Sequence, residues 1–558
     1  MDNKNVFVAI ALSMSVLLFW AAFFETPRPN TQSKNVEKKI SENTITPNIN
    51  ETKIIKKLSR EESLQNSKRI KIENSNIIGS LSLKGGIFDD VSFKNHKQNL
   101  KNNKNIQFLN PSEIEDGFYI ETGWTSVGNK IKVPTKETVW SVKGNDVLNS
   151  NDSVTLQWNN GKGIIFEKII DLDDRFLFKI KQNIKNNTNK KIELYPYAQI
   201  TRNKIPDDIQ NFYISHEGFI GVFDEELKED DYDDIKENKI VREANEGWLG
   251  ITDKYWMTAV VPEKEKNFKS TFLYRDAYKA NYILNDPTII NPSSSNSNEI
   301  KLFVAAKEVN TIDGYAEELK INKLDLVIDW GWFYFFTKPL FFIIDYLFKY
   351  SGNFGIAIVI ITIGIRLIFF PLANYSFRSM AKMKAVQPEM MRLKELHKED
   401  KVKLQQEMMS LYRKEKINPA SGCLPILIQI PFFFAIYKML FISLEMRHQP
   451  FFGWIKDLSD KDPTSIFNLF GLIPWDPPSF LIIGIWPILM GVSMWVQQKL
   501  NPAPADPVQA KIFAFFPLFL TVILASFPSG LVVYWTVNNI LTIAQQWVIM
   551  RSTKVKTN

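Results

Sequence analysis

The stretch "IVIITIGIRLIFFPLANY", residues 358–375, places an arginine inside an apolar run. A membrane span needs about 20 mostly apolar residues, and residues 353–373 meet that requirement. Arg366 would then lie about 10 Å from the end of the span at Ala373. A charge at this depth usually faces a polar interior, which predicts a water-containing cavity. The alternative is that its side chain reaches back to the lipid headgroups.

The composition divides the 558-residue chain into two modules. Residues 25–330 are polar and rich in Asn, Lys and Glu, whereas residues 331–550 are mostly apolar. This contrast predicts a soluble module joined to a membrane module. The single cysteine, Cys423, excludes an intrachain disulfide, and the net charge of +7 is too diffuse to indicate a nucleic-acid partner. Scattered histidines and the absence of a phosphate-loop motif predict neither a metal site nor a cofactor, and disfavour ATP hydrolysis.

Six segments are long and apolar enough to be transmembrane helices. The first, at 6–24, indicates an uncleaved N-terminal anchor over residues 1–24, because it is longer than a signal-peptide core and lacks a clear cleavage site. The last two are separated only by "PSG", residues 528–530, which predicts a tight hairpin. The five later segments are 353–373, 424–444, 480–498, 512–528 and 531–549.

Loop charge predicts the orientation of these helices. Residues 374–419 carry 11 basic and 6 acidic residues, a net of +5, whereas residues 445–479 carry 3 basic and 5 acidic residues, a net of −2. The first loop and the basic tail 550–558 are therefore predicted to be cytoplasmic. Counting back through the spans places the N-terminus in the cytoplasm and the large polar module outside.

The outside module begins with residues 25–60, which have few apolar residues and predict a flexible linker. Residues 61–325 contain short runs such as "RIKIE" and "FLFKIKQNI" that alternate apolar and polar residues. Turn signals such as "KNNTNK" separate these runs, so we expect a large antiparallel β-sandwich. The acidic run "DEELKEDDYDD", residues 224–234, predicts a solvated loop. No catalytic constellation is visible, which favours a scaffold or docking domain.

Residues 331–350, "GWFYFFTKPLFFIIDYLFKY", predict an amphipathic helix rather than a span. Lys338, Asp345 and Lys349 are spaced seven and four residues apart, so on a helix they form one polar stripe. The remaining residues are mostly aromatic or aliphatic. We expect this helix to lie in the membrane interface.

The predicted spans contain no Asp or Glu that could pair with Arg366. Their polar residues are amides and hydroxyls, which disfavours an ion-coupled carrier. The other intramembrane charge, Lys438, lies near the outer end of its span, and we expect it to reach outward. The amides and hydroxyls of interest are Thr362, Gln429, Gln497, Gln498, Thr536, Asn538 and Asn539.

The cytoplasmic segment 374–416 predicts a hairpin of two helices, with Pro388 marking a kink or restart. Methionine side chains are polarizable and adaptable, which suits a surface that receives varied apolar segments. Ordinary packing between the two helices is the alternative, and the basic residues could also hold anionic lipid. Six of the 14 methionines of the chain lie here: Met380, Met383, Met390, Met391, Met408 and Met409.

Three stretches carry a family resemblance: "IRLIFFPLANYSFRSMAKMKAVQPEM", "EKINPASGCLPILIQIPFFFAIYKML" and "FPSGLVVYWTVNNI". Together with the region around "GWLG", residues 247–250, they resemble the YidC-type membrane protein insertases, in the form with a large periplasmic domain. The resemblance covers nearly the whole chain. It implies a polytopic α-helical protein of the bacterial inner membrane, with a five-helix insertase core over 353–549.

The resemblance also implies a hydrophilic groove that contains Arg366 and is open to cytoplasm and lipid. Thr362, Gln429, Gln497 and Trp535 match positions that line or border this groove. Some relatives with a large domain have tyrosine where this chain has Trp535, so an inference that needs that hydroxyl is in doubt.

The implied function is insertion and folding of nascent inner-membrane proteins, alone or with the Sec translocon, without a covalent step. The implied partners are nascent membrane proteins, the Sec translocon, the ribosome and membrane lipids. The alternatives are a small-solute channel or transporter and a membrane-anchored scaffold.

Overall fold

The computed structural model describes residues 58–100, 102–127, 131–207, 209, 215–331, 333–418, 424–475, 477–478, 482–501 and 507–552. Three predicted segments fall wholly or mostly outside these residues: the N-terminal anchor 1–24, the linker 25–60 apart from residues 58–60, and the tail 550–558 beyond residue 552. Cys423 also lies outside them.

The first half of the described chain forms two large β-sheets that pack face to face. One sheet has 11 strands, with β14-β17-β18-β11-β5-β3-β2-β1-β7 as its main path, and the other has nine in the order β13-β12-β15-β16-β20-β10-β9-β8-β6. The strands are β1 Arg69–Glu73, β2 Ile77–Ser82, β3 Ile87–Lys97, β4 Asn105–Leu109, β5 Phe118–Thr125, β6 Ser141–Lys143, β7 Val147–Leu148, β8 Val154–Asn159, β9 Ile164–Leu172, β10 Leu177–Asn186, β11 Ile192–Arg202, β12 Gly218–Phe223, β13 Glu226–Asp230, β14 Ile240–Ala244, β15 Gly247–Thr252, β16 Trp256–Val261, β17 Phe268–Tyr274, β18 Tyr278–Leu284, β19 Thr288–Ile290 and β20 Ser294–Ala306.

Alternating side chains explain why these segments form a sandwich. In β1, Ile70 and Ile72 are buried while the flanking residues are at least partly exposed. Aromatic rings then join the two inner faces: the Phe88 and Phe178 ring centroids lie 5.2 Å apart. The predicted β-sandwich is therefore confirmed, with one exception to its antiparallel pairing, since β1 and β7 run parallel.

The acidic run 224–234 is not the predicted loop. Its residues Glu226–Asp230 form β13, an edge strand that pairs with β12. The carboxylate of Asp230 accepts two hydrogen bonds from the Arg242 guanidinium, at 2.7 and 2.8 Å. Strand pairing and this ion pair hold the segment on the sheet, and charge alone did not indicate either contact.

Helices make up most of the second half of the chain. Short helices α1 Arg60–Gln65 and α2 Tyr232–Glu237 belong to the β-sandwich part of the chain, residues 58–306, which we call the outer domain. The rest are α3 Val309–Glu318, α4 Tyr334–Ser351, α5 Phe354–Ile368, α6 Phe370–Ala385, α7 Gln387–Leu396, α8 Lys401–Lys414, α9 Leu424–Ile442, α10 Ile485–Leu500, α11 Pro507–Leu524 and α12 Ser529–Ser552.

The predicted span 353–373 is not one straight helix. It breaks at Phe369, where α5 ends and α6 begins, and the two helices meet at a 68° bend. Pro371 contributes to the break, because proline has no backbone N–H to continue the α5 hydrogen-bond ladder and is well accommodated in a first helical turn.

The length and the composition of each helix limit whether it could cross a membrane. Among the helices of the described residues, none is long and apolar enough to cross by itself, whereas the bent pair α5–α6 passes when taken together. Two shorter apolar helices occur, at Gln429–Ile442 and Gln509–Leu524.

Helix α4 presents an aromatic face to its surroundings. Lys338 turns towards protein, since its ammonium lies 3.0 Å from Asp313 and 2.9 Å from Asp325. Lys349 pairs with Asp345 one turn before it, at 2.7 Å. The exposed large apolar residues of this helix are Tyr334, Phe335, Phe336, Phe342, Ile343, Tyr346 and Tyr350.

The outer domain and the helical module share a polar junction around the end of α9. The Arg447 guanidinium donates to the backbone carbonyls of Lys97 and Gln98, at 2.7 and 2.9 Å. The Glu445 carboxylate accepts from the Val309 backbone N–H at 2.7 Å, at the start of α3. These contacts dock the β-sandwich directly on the helices.

Candidate functional site

A cavity of about 250 Å³ lies between helices of the second half of the chain, and Arg366 is part of its wall. Its lining mixes aromatic rings with amide and hydroxyl groups. None of the described residues that line it is acidic. The lining residues come from helices α5, α6, α9, α10 and α12, with Asn501 just after α10: Arg366, Phe377, Met380, Gln429, Ile430, Phe433, Gln497, Asn501, Tyr534, Trp535, Asn538 and Thr542.

The Arg366 guanidinium is held by a neutral amide. Its Nε and Nη2 atoms both donate to Oδ1 of Asn538, at 3.0 and 2.6 Å. Arg366 is half-buried, and Asn538 lies on α12, 172 residues later in the chain. The charge is therefore fixed in direction by a hydrogen-bond acceptor that carries no opposite charge.

A second polar contact lies one turn before Asn538 on the same face of α12. Gln429 of α9 donates through Nε2 to the Tyr534 hydroxyl at 2.8 Å. Beside it, the Trp535 and Phe433 rings meet edge to face with their centroids 4.7 Å apart. Helix α12 thus contacts α5 through Asn538 and α9 through Tyr534 and Trp535, and the cavity lies between these helices.

The structure brings together four of the five groove residues that the resemblance indicated. Arg366, Gln429, Gln497 and Trp535 all line the cavity. Thr362 does not: it is buried one turn before Arg366, and its hydroxyl donates to the Ile358 carbonyl of its own helix at 2.6 Å. Its position suits helix packing rather than contact with a bound segment.

The hairpin methionines do not form one site. Met380, on α6, lines the cavity. Met391 and Met409 are exposed, whereas Met383, Met390 and Met408 are half-buried. The Tyr412 hydroxyl lies 3.9 Å from the Met390 sulfur, so part of this set packs between α7 and α8. The exposed Met391 and Met409 are thus consistent with a surface that receives apolar segments, whereas Met390 is consistent with packing between the two helices.

Tyr534 and Thr542 were not singled out from the sequence, and Asn538 was named only as one of several amides in the predicted spans. Their spacing contained the signal, because residues four apart lie on one helix face. These three polar side chains recur at every fourth position along one face of α12. A polar stripe of this kind indicates a helix face that is turned away from lipid.

The chemistry available to the cavity is electrostatic and hydrogen-bonding. It offers one fixed positive charge, neutral amides and hydroxyls, and apolar walls. In the described parts of the chain, no three His, Cys, Asp or Glu side chains are grouped so as to hold a metal ion.

Comparisons with known proteins agree along the whole chain. The family described as "60Kd inner membrane protein" matches residues 346–557, and the "YidC periplasmic domain" matches residues 69–343. A relative from Pelagibacter ubique (strain HTCC1062), named membrane protein insertase YidC, is 56% identical over 559 residues and covers 100% of both chains. Another of that name, from Methylorubrum extorquens (strain PA1), is 43% identical over 594 residues, with 100% of this chain and 96% of the relative covered.

A solved structure described as "Active YidC insertase crystal structure with the first transmembrane domain resolved" is also similar. It is 17% identical with a TM-score of 0.34, and the match covers 86% of this chain and 92% of the other. The sequence matches carry the assignment, since both halves of the chain and its full length agree. The chain belongs to the YidC family of non-enzymatic membrane protein insertases.

Proposed function

We propose that this protein inserts nascent membrane proteins by receiving their polar segments in the Arg366 cavity. The observation that carries the proposal is a half-buried arginine in a cavity of about 250 Å³, held by Asn538 and not by an acid. Its positive charge remains available to another negatively charged or polar group. Such a site attracts the tail of an incoming chain without a chemical reaction.

The driving force comes from the substrate. A polar segment cannot cross about 30 Å of hydrocarbon cheaply, and a polar, water-filled cavity shortens that dry path. The apolar segment of the same substrate moves into lipid beside the cavity, and the burial of its surface favours insertion. Aromatic rings such as Trp535 and Phe433 provide the apolar wall along which it passes.

The proposed arrangement in the membrane has six transmembrane helices, with both termini in the cytoplasm and the β-sandwich outside. Loop charge supports it, since 374–419 has a net charge of +5 and 445–479 has −2. Helix α4 would lie in the outer interface with its aromatic face in lipid. The membrane is the inner membrane of a bacterium.

Further partners are proposed from the hairpin and the resemblance. The cytoplasmic hairpin, with exposed Met391 and Met409, would receive chains as they leave the ribosome. The Sec translocon would act together with this protein on part of its substrates, as the resemblance implies, and anionic lipid would bind the basic residues of the hairpin. The outer domain would serve as a docking domain.

The test is a substitution series at Arg366 combined with substrates whose translocated tails are graded in charge. Arg366→Lys should keep much of the activity, because an ammonium still supplies positive charge, although it lacks the planar fork. Arg366→Ala should impair acidic tails and spare short neutral ones, and Arg366→Glu should be worse because it repels acidic tails. Lys456→Ala is the control, since it removes an exposed charge from the loop after α9, outside the cavity.

Insertion efficiency in proteoliposomes at matched protein levels is the measurement. If Arg366→Ala lowers insertion of every substrate equally, or of none, the electrostatic role is wrong. A transporter would instead show coupled flux of a small solute, and a scaffold would tolerate loss of the charge.

A further inference from the structure

The contact between Arg366 and Asn538 differs from two part-buried arginine contacts of the β-sandwich. In the outer domain, Arg202 is held by the carboxylate of Asp253 at 2.5 and 3.0 Å. Arg242 is held by Asp230 in the same two-bond manner, at 2.7 and 2.8 Å. In both places a negative charge cancels the positive one. In the cavity, a carboxamide oxygen occupies the position that a carboxylate has in these two pairs.

The difference has a direct electrostatic consequence. A carboxylate would satisfy the guanidinium but would also cancel its charge, so that little attraction would remain for a third group. An apolar residue would leave the charge intact but the N–H donors without an acceptor, which is costly away from water. An amide oxygen accepts the two hydrogen bonds and leaves the net charge of the site at +1.

The geometry also limits where the guanidinium points. Nε and Nη2 lie on one edge of the planar fork, and both are occupied by Asn538. A guanidinium has five N–H donors, so three remain for other acceptors. Without a partner, a long arginine side chain could turn towards the headgroups and take its charge out of the cavity.

Asn538 is itself held in place by its helix. It lies one turn after Tyr534, whose hydroxyl accepts from Gln429, and its backbone carbonyl accepts from the Thr542 hydroxyl at 2.6 Å. All four of these side chains line the cavity. The acceptor for Arg366 is thus presented by a helix that also contacts α9.

We propose that Asn538 is a positioning residue for insertion, which orients Arg366 into the cavity while leaving its charge uncancelled. The inference rests on the function proposed above. It predicts that the charge of residue 538, and not only its size, controls how strongly the protein prefers acidic tails.

The test uses four variants of the full-length protein in proteoliposomes. Asn538→Asp keeps the shape and adds a negative charge, Asn538→Ala removes the acceptor, and Asn538→Gln keeps a neutral acceptor. Asn539→Ala is the matched control: Asn539 is the neighbouring amide on the same helix, but it does not line the cavity and donates to the Ser493 hydroxyl at 3.0 Å. The readout is the slope of insertion efficiency against the charge of the translocated tail.

Asn538→Asp should flatten this slope to that of Arg366→Ala, with a loss of about tenfold for the most acidic tail and no loss of thermal stability. Asn538→Ala should flatten it partly, Asn538→Gln should keep most of it, and Asn539→Ala should leave it unchanged. A slope that stays at the wild-type value in Asn538→Asp overturns the inference.

A general loss of insertion that follows thermal stability in Asn538→Ala and Asn539→Ala alike would also overturn it, because it would indicate a structural role only. The Arg366→Ala and Asn538→Asp results together distinguish the proposed function from the proposed role of Asn538. If Arg366→Ala flattens the slope and Asn538→Asp does not, only the role of Asn538 is wrong. If Arg366→Ala has no effect on the slope, both proposals fail.

Discussion

The Lys438 ammonium lies 2.8 Å from Oδ2 of Asp329, so a charge near the C-terminal end of α9 is paired with the segment that leads out of the β-sandwich. The same carboxylate accepts from the backbone N–H groups of His216 and Gly331, at 3.0 and 2.9 Å. Lys438 was expected to reach outward from the membrane, and in the structure its ammonium contacts a specific partner, Asp329. Asp329 thereby joins the outer domain, the connecting segment and the helical module.

This pair should stabilise the full-length protein. Asp329→Asn and Lys438→Met should each lower the free energy of unfolding by about 1.5–3 kcal/mol, the usual range for hydrogen bonds to charged groups. The double variant should lose less than the sum of the two, since each single change already breaks the pair. Thermal unfolding in detergent measures this, with Lys191→Met as the control because Lys191 and Glu193 form an exposed pair. Fully additive losses would show that the two charges act independently.

Glu445 should make the junction between the modules sensitive to pH. Burial, with smaller contributions from the nearby carboxylates of Glu308 and Asp345, raises its pKa to about 7 from a usual value of 4.5. At a pH between these two pKa values, Glu445 is protonated more often in the folded protein than in the unfolded chain. The free energy of unfolding should therefore fall as the pH rises from about 5 to 7. Each unit of pKa difference corresponds to about 1.4 kcal/mol.

Glu445→Gln removes this titration and keeps an oxygen that can accept from the Val309 N–H. Its unfolding temperature should therefore depend less on pH between 5 and 7 than that of the unchanged protein. Parallel curves for the two proteins would contradict the role of Glu445.

The exposed hairpin methionines should affect insertion more than stability. Met391 and Met409 are 62% and 47% exposed, so changing both to serine removes little packing. We expect a loss of about threefold in insertion and in crosslinking of a stalled nascent chain to the hairpin, at unchanged thermal stability. The control changes Leu396 and Val402 to serine, two similarly exposed apolar residues of the hairpin region. An equal loss in the control would show that general apolarity, and not methionine, is what matters.

The membrane orientation can be tested with introduced cysteines. With Cys423 replaced, Met391→Cys in the hairpin and Asp460→Cys in the loop after α9 both provide exposed positions. An impermeant thiol reagent added outside spheroplasts should label position 460 and not position 391 until the membrane is opened. Labelling of 391 from outside would contradict the proposed topology.

Sequence patterns predicted local structure better than pairing over long distances. Alternation identified β1 and β10 because burial on one face of a strand follows directly from a period of two. The contacts of Arg366 with Asn538 and of Lys438 with Asp329 join residues 172 and 109 positions apart. Periodicity shows which face of a helix is polar, but it does not show which helix faces it.

The break at Phe369 had a different cause. The apolar run continues past Ile368 without a change in hydropathy, so a span drawn from hydropathy alone extends through the bend. Pro371 was the available signal. The resemblance supplied Gln429, Gln497 and Trp535 for the cavity wall, while the acceptor for Arg366 required the packing of α5 against α12.

The polar contacts around the cavity have a consequence for how this protein is made. Asn538, Tyr534 and Asn539 on α12 hold α5, α9 and α10 respectively, and Gln546 reaches Asn501 just after α10. Helix α12 is the last of these to leave the ribosome. Until it is synthesised, the contacts of Arg366, Gln429 and Asn501 with α12 are missing and the cavity is incomplete. Under the proposed function, a half-finished copy lacks the site that its own helices would use, so its biogenesis would depend on copies that already exist or on another route into the membrane.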